Sequence, residues 1–148
     1  MKKIVIFGTG LIAEVAHFYF NIDTDYKTVA FTNGSEFIKG SSFKGLPLVP
    51  FEEIEEHYAP SNHDMFIAIG YNKTNQIREK RYKEAKEKGY RCATYISPRA
   101  TYYSTPVGEN CFILENNVIQ PFVTIGNNVT LWSGNHIGHH SVIKDNCF

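Results

Sequence analysis

Residues 107–148 read VGENCF ILENNV IQPFVT IGNNVT LWSGNH IGHHSV IKDNCF when broken every six residues. The first place of each hexad is aliphatic: Val107, Ile113, Ile119, Ile125, Leu131, Ile137 and Ile143. The fifth place holds Cys111, Asn117, Val123, Val129, Asn135, Ser141 and Cys147, all of small or modest size, and Gly108, Gly126 and Gly138 follow the aliphatic residue. A fixed short period of this kind is the signature of a solenoid, in which each repeat cannot bury its apolar face alone and stacks on its neighbours. If each hexad is one short strand and turn on a triangular parallel coil, three hexads close a turn of about eighteen residues. Residues eighteen apart then stack in columns. Val107 lies over Ile125 and Ile143, Ile113 over Leu131, Ile119 over Ile137, and Asn117 over Asn135. Cys111, Val129 and Cys147 form another column, which makes these cysteines core-filling residues rather than reagents.

Upstream the pattern is different. Residues 1–96 alternate apolar runs with helical patterns, the signature of βαβ units around a parallel sheet. Residues 4–7 form a first strand. Residues 11–20 follow as a helix with Ile12, Val15, Ala16 and Tyr19 on one apolar face. Residues 28–32 form a second strand that ends at Asn33-Gly34, and residues 34–45 read as a loop. Pro47 and Pro50 fence a short extended piece before a short acidic helix over residues 51–58. A buried strand over residues 65–69 stops at Gly70. A charged helix over residues 74–88 ends at Gly89, and residues 90–96 return as a strand. The expected organisation is a Rossmann-like α/β domain over residues 1–96 and a parallel β-coil domain over residues 97–148.

Composition narrows the functional classes. The chain has 148 residues with 15 basic and 15 acidic side chains, so no net charge draws it to polyanions and nucleic acid is not an expected partner. Its opening Met-Lys-Lys-Ile-Val-Ile-Phe-Gly is too short for a signal core or a membrane span. Three cysteines without paired metal-ligand spacing are expected as free thiols, and the cytoplasm is the expected compartment.

Two regions carry candidate chemistry. Gly8-Thr-Gly10-Leu11-Ile-Ala13 follows a strand and opens a helix, where bare backbone N–H groups and the helix dipole can hold a diphosphate. A dinucleotide enzyme also needs an acidic residue at the end of its second strand, and Thr32-Asn33-Gly34 supplies none, which argues against hydride transfer. Gly70-Tyr71-Asn72 lies at another carboxyl strand end of the same sheet. Gly8, Gly10, Leu11, Thr32, Gly70 and Asn72 are therefore the candidate substrate-binding residues. The second region is Asn135-His136-Ile137-Gly138-His139-His140-Ser141, with three histidines in five residues. Zinc ligation by all three is awkward, because adjacent residues on an extended strand point oppositely, and no metal is expected. His17, His57 and His63 are scattered and read as ordinary surface or helix residues.

The hexads, together with Ile4-Val-Ile-Phe-Gly-Thr-Gly10, the strand from Phe66 to Gly70 with Tyr71-Asn72 after it, and Tyr95-Ile-Ser-Pro98, resemble the hexapeptide-repeat sugar acyltransferases. The nearest group is the nucleotide-aminosugar N-acetyltransferases and sugar O-acetyltransferases related to sialic-acid O-acetyltransferases. The resemblance implies a left-handed parallel β-helix, a homotrimer, acetyl-CoA as co-substrate and a nucleotide-linked sugar as acceptor, without nucleic-acid or membrane partners. In that family an Ile-x-His entry carries the catalytic base, which falls here on Ile137-Gly138-His139. An imidazole there takes the proton of a sugar amine, or of a hydroxyl, as it attacks a thioester. Asn135, His136 and His140 are candidate supporting residues. The chain departs from the family in lacking a histidine after its opening glycines, in having His140 where an acidic residue often follows the base, and in carrying Trp132 seven before it. It also ends with the hexad begun by Ile143, so an incomplete, uncapped coil stack is expected. The rival readings are a non-catalytic nucleotide-sugar-binding trimer and a zinc-dependent hydratase.

Overall fold

A computed structural model describes residues 1–148, and the chain divides into two compact units: Met1–Gly70 with Lys80–Cys92, and Tyr71–Glu79 with Ala93–Phe148. In the first unit the apolar opening run forms β1 (Lys2–Phe7), whose last four residues are buried. It is followed by α1 (Leu11–Asp23), β2 (Tyr26–Asn33), β3 (Ser42–Phe43), β4 (Leu46–Pro50), a 3-10 turn leading into α2 (Ile54–His57), β5 (Asp64–Ile67) and α3 (Gln76–Glu87), of which residues 80–87 belong to this unit. The sheet runs β3-β4-β2-β1-β5, parallel except for β3. The chain steps outward from β1 to β2 and β4, then crosses back to β5 on the other side of β1. That reversal falls between β1 and β5, and open α/β sheets hold their ligands outside the carboxyl strand ends at such a point.

Four local expectations need correction. Residues 34–45 are not all loop: after a 3-10 turn at Ser35–Phe37, β3 pairs antiparallel with β4 through the two-residue turn Lys44-Gly45. Both turn residues have positive φ, 50° and 76°, as the tight hairpin turn that matches strand twist requires. Lysine is not a residue that announces such a turn. The charged helix starts at Gln76, because Lys73, Thr74 and Asn75 all have positive φ. At its other end Gly89 (φ 89°) closes it: Gly89 N–H donates to Lys86 O and Tyr90 N–H to Ala85 O, and Tyr90 and Ala85 join the same buried cluster. Of residues 90–96, Cys92 makes an isolated bridge to Met65, while Tyr95–Ile96 pairs with Phe112–Ile113 in the second unit. The buried face of α1 is also rotated from the expected one, onto Ala13, Ala16 and Phe20. A Cβ on Gly8 would stand 3.4 Å from that of Ala13, so the helix sits close to the end of β1 and small residues must face it.

The second unit is built of two-residue strands: β6 (Tyr95–Ile96), β7 (Thr101–Tyr102), β8 (Phe112–Ile113), β9 (Val118–Ile119), β10 (Thr124–Ile125), β11 (Thr130–Leu131), β12 (His136–Ile137) and β13 (Val142–Ile143). They form three parallel sheets, β6-β8-β11, β7-β9-β12 and β10-β13, with Val107 bridging Ile125. The aliphatic columns stand as the period requires: Ile113 pairs with Leu131, Ile119 with Ile137, and Ile125 with both Val107 and Ile143. Cys111, Ile113, Ile119, Val123, Ile125, Val129 and Leu131 form the core. Positive φ recurs with the same period at Ser104, Asn110, Asn116, Phe122, Asn128, Gly134, His140 and Asn146. Each of these is a corner of the coil. Asn110, Asn128 and Asn146 stack there as a ladder, each amide Nδ2 donating to the Oδ1 of the next at 2.9 and 2.8 Å. Cys147 keeps its place in the column, its carbonyl accepting the Thr130 N–H as that of Val129 accepts the Phe112 N–H, but it is exposed, whereas Cys92 and Cys111 are buried.

Within this unit Arg78, from the first turn of α3, is 1% exposed and has no carboxylate partner. Its guanidinium donates to Thr130 Oγ1, to Cys147 O at 2.9 Å and to Asn146 O at 3.3 Å, and stands 5.3 Å from the Phe148 ring centroid. Nε finds no acceptor. Burial lowers its pKa to about 10, which still leaves it charged at neutral pH. Arg78 thus holds two successive carbonyls of the last coil from within the second unit. Arg78→Ala leaves these acceptors and a cavity behind, and denaturant unfolding is expected to show a loss of about 2–4 kcal/mol. Burial also raises the Cys111 thiol to about 11. A thiol reagent at pH 8 is therefore expected to label Cys147 rapidly in the native protein, and Cys92 and Cys111 only on unfolding.

Candidate active site

The carboxyl edge of the first sheet gathers most of the residues singled out above. Gly8 adopts φ 128°, and a Cβ there would meet the Ala68 carbonyl oxygen at 2.7 Å, so the end of β1 accepts only glycine. Its N–H donates to Thr32 O at 2.8 Å. Thr32 is fully buried and its hydroxyl donates to Val49 O at 2.8 Å, so this side chain faces the sheet rather than the crevice. Gly10 caps α1 in an extended conformation with open space where a Cβ would be, and Leu11 beside it is 79% exposed. The first-turn amides of α1 are thus presented beside an uncrowded surface. Gly70 lies close under α1, its absent Cβ 3.2 Å from Ile12 Cδ1. Asn72 falls in the second unit, in a shallow cleft with Tyr71, Lys73 and Phe148. Sequence reasoning passed over Thr9 and Asn33. Asn33 Nδ2 donates to Thr9 Oγ1 at 3.0 Å, and its Oδ1 accepts the Gly34 N–H at 2.9 Å, so the ends of β1 and β2 are tied by an amide rather than by an acid.

In the second unit the histidines occupy a strand and the corner after it. His136 lies on β12 beside the inward-facing Ile137, and its ring is exposed. Asn135 serves the coil: its N–H donates to Asn117 Oδ1 at 3.2 Å and its Nδ2 to Trp132 O at 2.6 Å. His139 stands at the corner. Its backbone N–H donates to Gln120 Oε1 at 2.9 Å, and its Nδ1 lies 3.0 Å from Nδ1 of His140, leaving Nε2 without a protein partner. His140 has φ 61° and stacks on Phe122, which has φ 66° and is itself exposed, with ring centroids 4.8 Å apart. Gln120 and Phe122 lie nineteen and eighteen residues before the histidines they touch, a whole coil below. The eighteen-residue column could have placed them, but without the corner conformation nothing marked them. No three His, Cys, Asp or Glu side chains converge closely enough to share a metal ion. No helix is long and apolar enough to cross a membrane.

Comparison with known proteins fits both halves. Residues 3–85 match the family described as the PglD N-terminal domain, and residues 107–139 match the bacterial transferase hexapeptide (six repeats). No curated protein matches the sequence. Among solved structures, the acetyltransferase domain of PglB from Neisseria gonorrhoeae, in complex with acetyl coenzyme A, superposes with a TM-score of 0.81 at 20% identity over 97% of this chain and 67% of that one. A histidine-to-alanine mutant of GDP-perosamine N-acetyltransferase from Caulobacter crescentus, in complex with CoA and GDP-perosamine, gives 0.83 at 20% identity over 99% and 68%. PerB from Caulobacter crescentus, in complex with CoA and GDP-perosamine, gives 0.77 at 21% identity over 94% and 64%. The chain spans about two thirds of the length of these proteins. Identity this low carries the fold, whereas the family match covers residues 3–85 of 148. With its α/β first unit and parallel coils, this chain belongs to the PglD N-terminal domain family, followed by bacterial transferase hexapeptide repeats.

Proposed function

We propose that this protein is an acetyltransferase that moves the acetyl group of acetyl-CoA to an amino group of a nucleotide-linked sugar used for surface glycans. Its coils would continue the left-handed β-helix that the family resemblance implies, associated as a homotrimer in the cytoplasm. The observation that carries the reading is the His139 corner: an exposed imidazole anchored through its backbone to Gln120 and through Nδ1 to His140, with Nε2 open. In the reaction the amine lone pair attacks the thioester carbonyl carbon. The C–N bond forms, the C–S bond breaks, and Nε2 takes the proton released from nitrogen and returns it to the departing thiolate. No acyl-enzyme is needed. At the sheet edge the Gly10 and Leu11 amides at the start of α1 would bind the diphosphate, with Gly8, Thr32 and Gly70 shaping the crevice and Asn72 a further contact. Support for an amino-sugar acceptor comes from the similar proteins solved with GDP-perosamine, and for acetyl-CoA from the one solved with it.

The test is thiol release from acetyl-CoA against a panel of UDP-, dTDP- and GDP-linked aminosugars. His139→Ala is expected to lower kcat by about 10²–10⁴-fold, the usual contribution of a positioned base, with KM for the sugar little changed. Undiminished kcat in His139→Ala would remove His139 from the chemistry. Saturable sugar binding without turnover in the unaltered chain would favour a binding module.

A further inference from the structure

The His139 and His140 rings meet Nδ1 to Nδ1 at 3.0 Å, nearly perpendicular at 89°. A hydrogen bond between two such nitrogens requires one ring to carry its proton on Nδ1 and the other to present a lone pair there. A neutral imidazole free in water prefers its proton on Nε2, so one of the two histidines must be held in its less favoured tautomer. His140 is fixed independently of His139: its backbone sits in a left-handed corner, its N–H donates to Pro121 O at 3.3 Å, and its ring lies on Phe122. A left-handed conformation is uncommon outside glycine, asparagine, aspartate and histidine, and the column of Ser104, Phe122 and His140 holds it without glycine or asparagine, whereas the other corners use Asn or Gly. Phe122 is the costly corner of the three, and it is the one whose ring carries His140.

We infer that His140, seated on Phe122, is a positioning residue: it presents a lone pair at Nδ1 to His139 and so holds His139 with its proton on Nδ1 and its lone pair on Nε2. This rests on the transferase reading above and refines it. His140 then keeps the ordinary Nε2–H form, so only His139 is displaced from its preference, and the displacement is the one a base acting through Nε2 needs. When His139 takes up the substrate proton at Nε2, its Nδ1–H bond to the neutral His140 becomes charge-assisted. A neutral acceptor thus fills the orienting role that a carboxylate plays in other histidine bases, as in the serine-protease triad.

The decisive measurement is the tautomer of His139, read from ring ¹⁵N shifts and two-bond couplings in the full chain at a pH where the ring is neutral. The unaltered protein is expected to show the Nδ1–H form at His139. His140→Gly removes the ring while suiting the corner, and should return His139 to the Nε2–H form. Phe122→Gly keeps both histidines but removes the platform, and should give a mixture. With acetyl-CoA and an accepted aminosugar nucleotide, His140→Gly should lower kcat by about tenfold or more with KM nearly unchanged. An Nε2–H His139 in the unaltered protein, or a tautomer indifferent to His140→Gly, would overturn the inference. Lack of turnover in the unaltered chain counts against the transferase reading instead, and the NMR result still decides the pairing.

Discussion

The six-residue corner is the constraint on which the second half of the molecule depends. At every sixth residue from Ser104 to Asn146 the backbone turns through positive φ, and between corners only two residues are extended enough to pair. That rhythm turns one aliphatic residue per hexad inward and makes the strands meet eighteen residues apart. Asparagine meets the conformational demand at four corners and, in one column, also supplies the amide ladder that locks successive layers. Because the corners stack, residues on adjacent coils are brought together by period rather than by local sequence. Gln120, Phe122, His139 and His140 owe their proximity to this.

The same geometry explains how an exposed histidine can be well ordered. A long surface side chain usually loses rotamer freedom when fixed, and little offsets that cost. Here the cost is distributed. Gln120 holds the backbone of His139 from the coil below, His140 holds its ring, and Phe122 carries His140. In the first unit the carboxyl edge of the sheet is shaped differently, by close approach: the missing Cβ of Gly8 admits the Ala68 carbonyl, and the small Ala13 lets α1 begin beside the strand. The first presents backbone amides, the second an imidazole.

Much of this was legible in the sequence, for identifiable reasons. The aliphatic period fixes the columns because it needs only residue type and spacing, and the glycines after β1 announce a tight strand-to-helix turn. Arg78 was not legible: in a helix so rich in charge it reads as one more solvated residue, and its partners Thr130 and Cys147 lie 52 and 69 positions away. Thr32 stands at the right strand end, but its buried hydroxyl turns inward to the Val49 carbonyl. The hairpin at Lys44-Gly45 was missed because glycine alone does not separate a turn from a loop. The pairing of His139 with His140 was hidden by treating the two as alternating strand neighbours, whereas the corner at His140 swings its ring back.

The most direct test of the account is the identity of the product. Incubating the chain with acetyl-CoA and an accepted aminosugar nucleotide, followed by mass spectrometry before and after hydroxylamine treatment, distinguishes the outcomes. The account predicts a nucleotide sugar carrying one acetyl group that survives hydroxylamine, as an amide does. Acetyl lost to hydroxylamine would place the transfer on oxygen, and an unmodified sugar with acetyl-CoA intact would contradict the account.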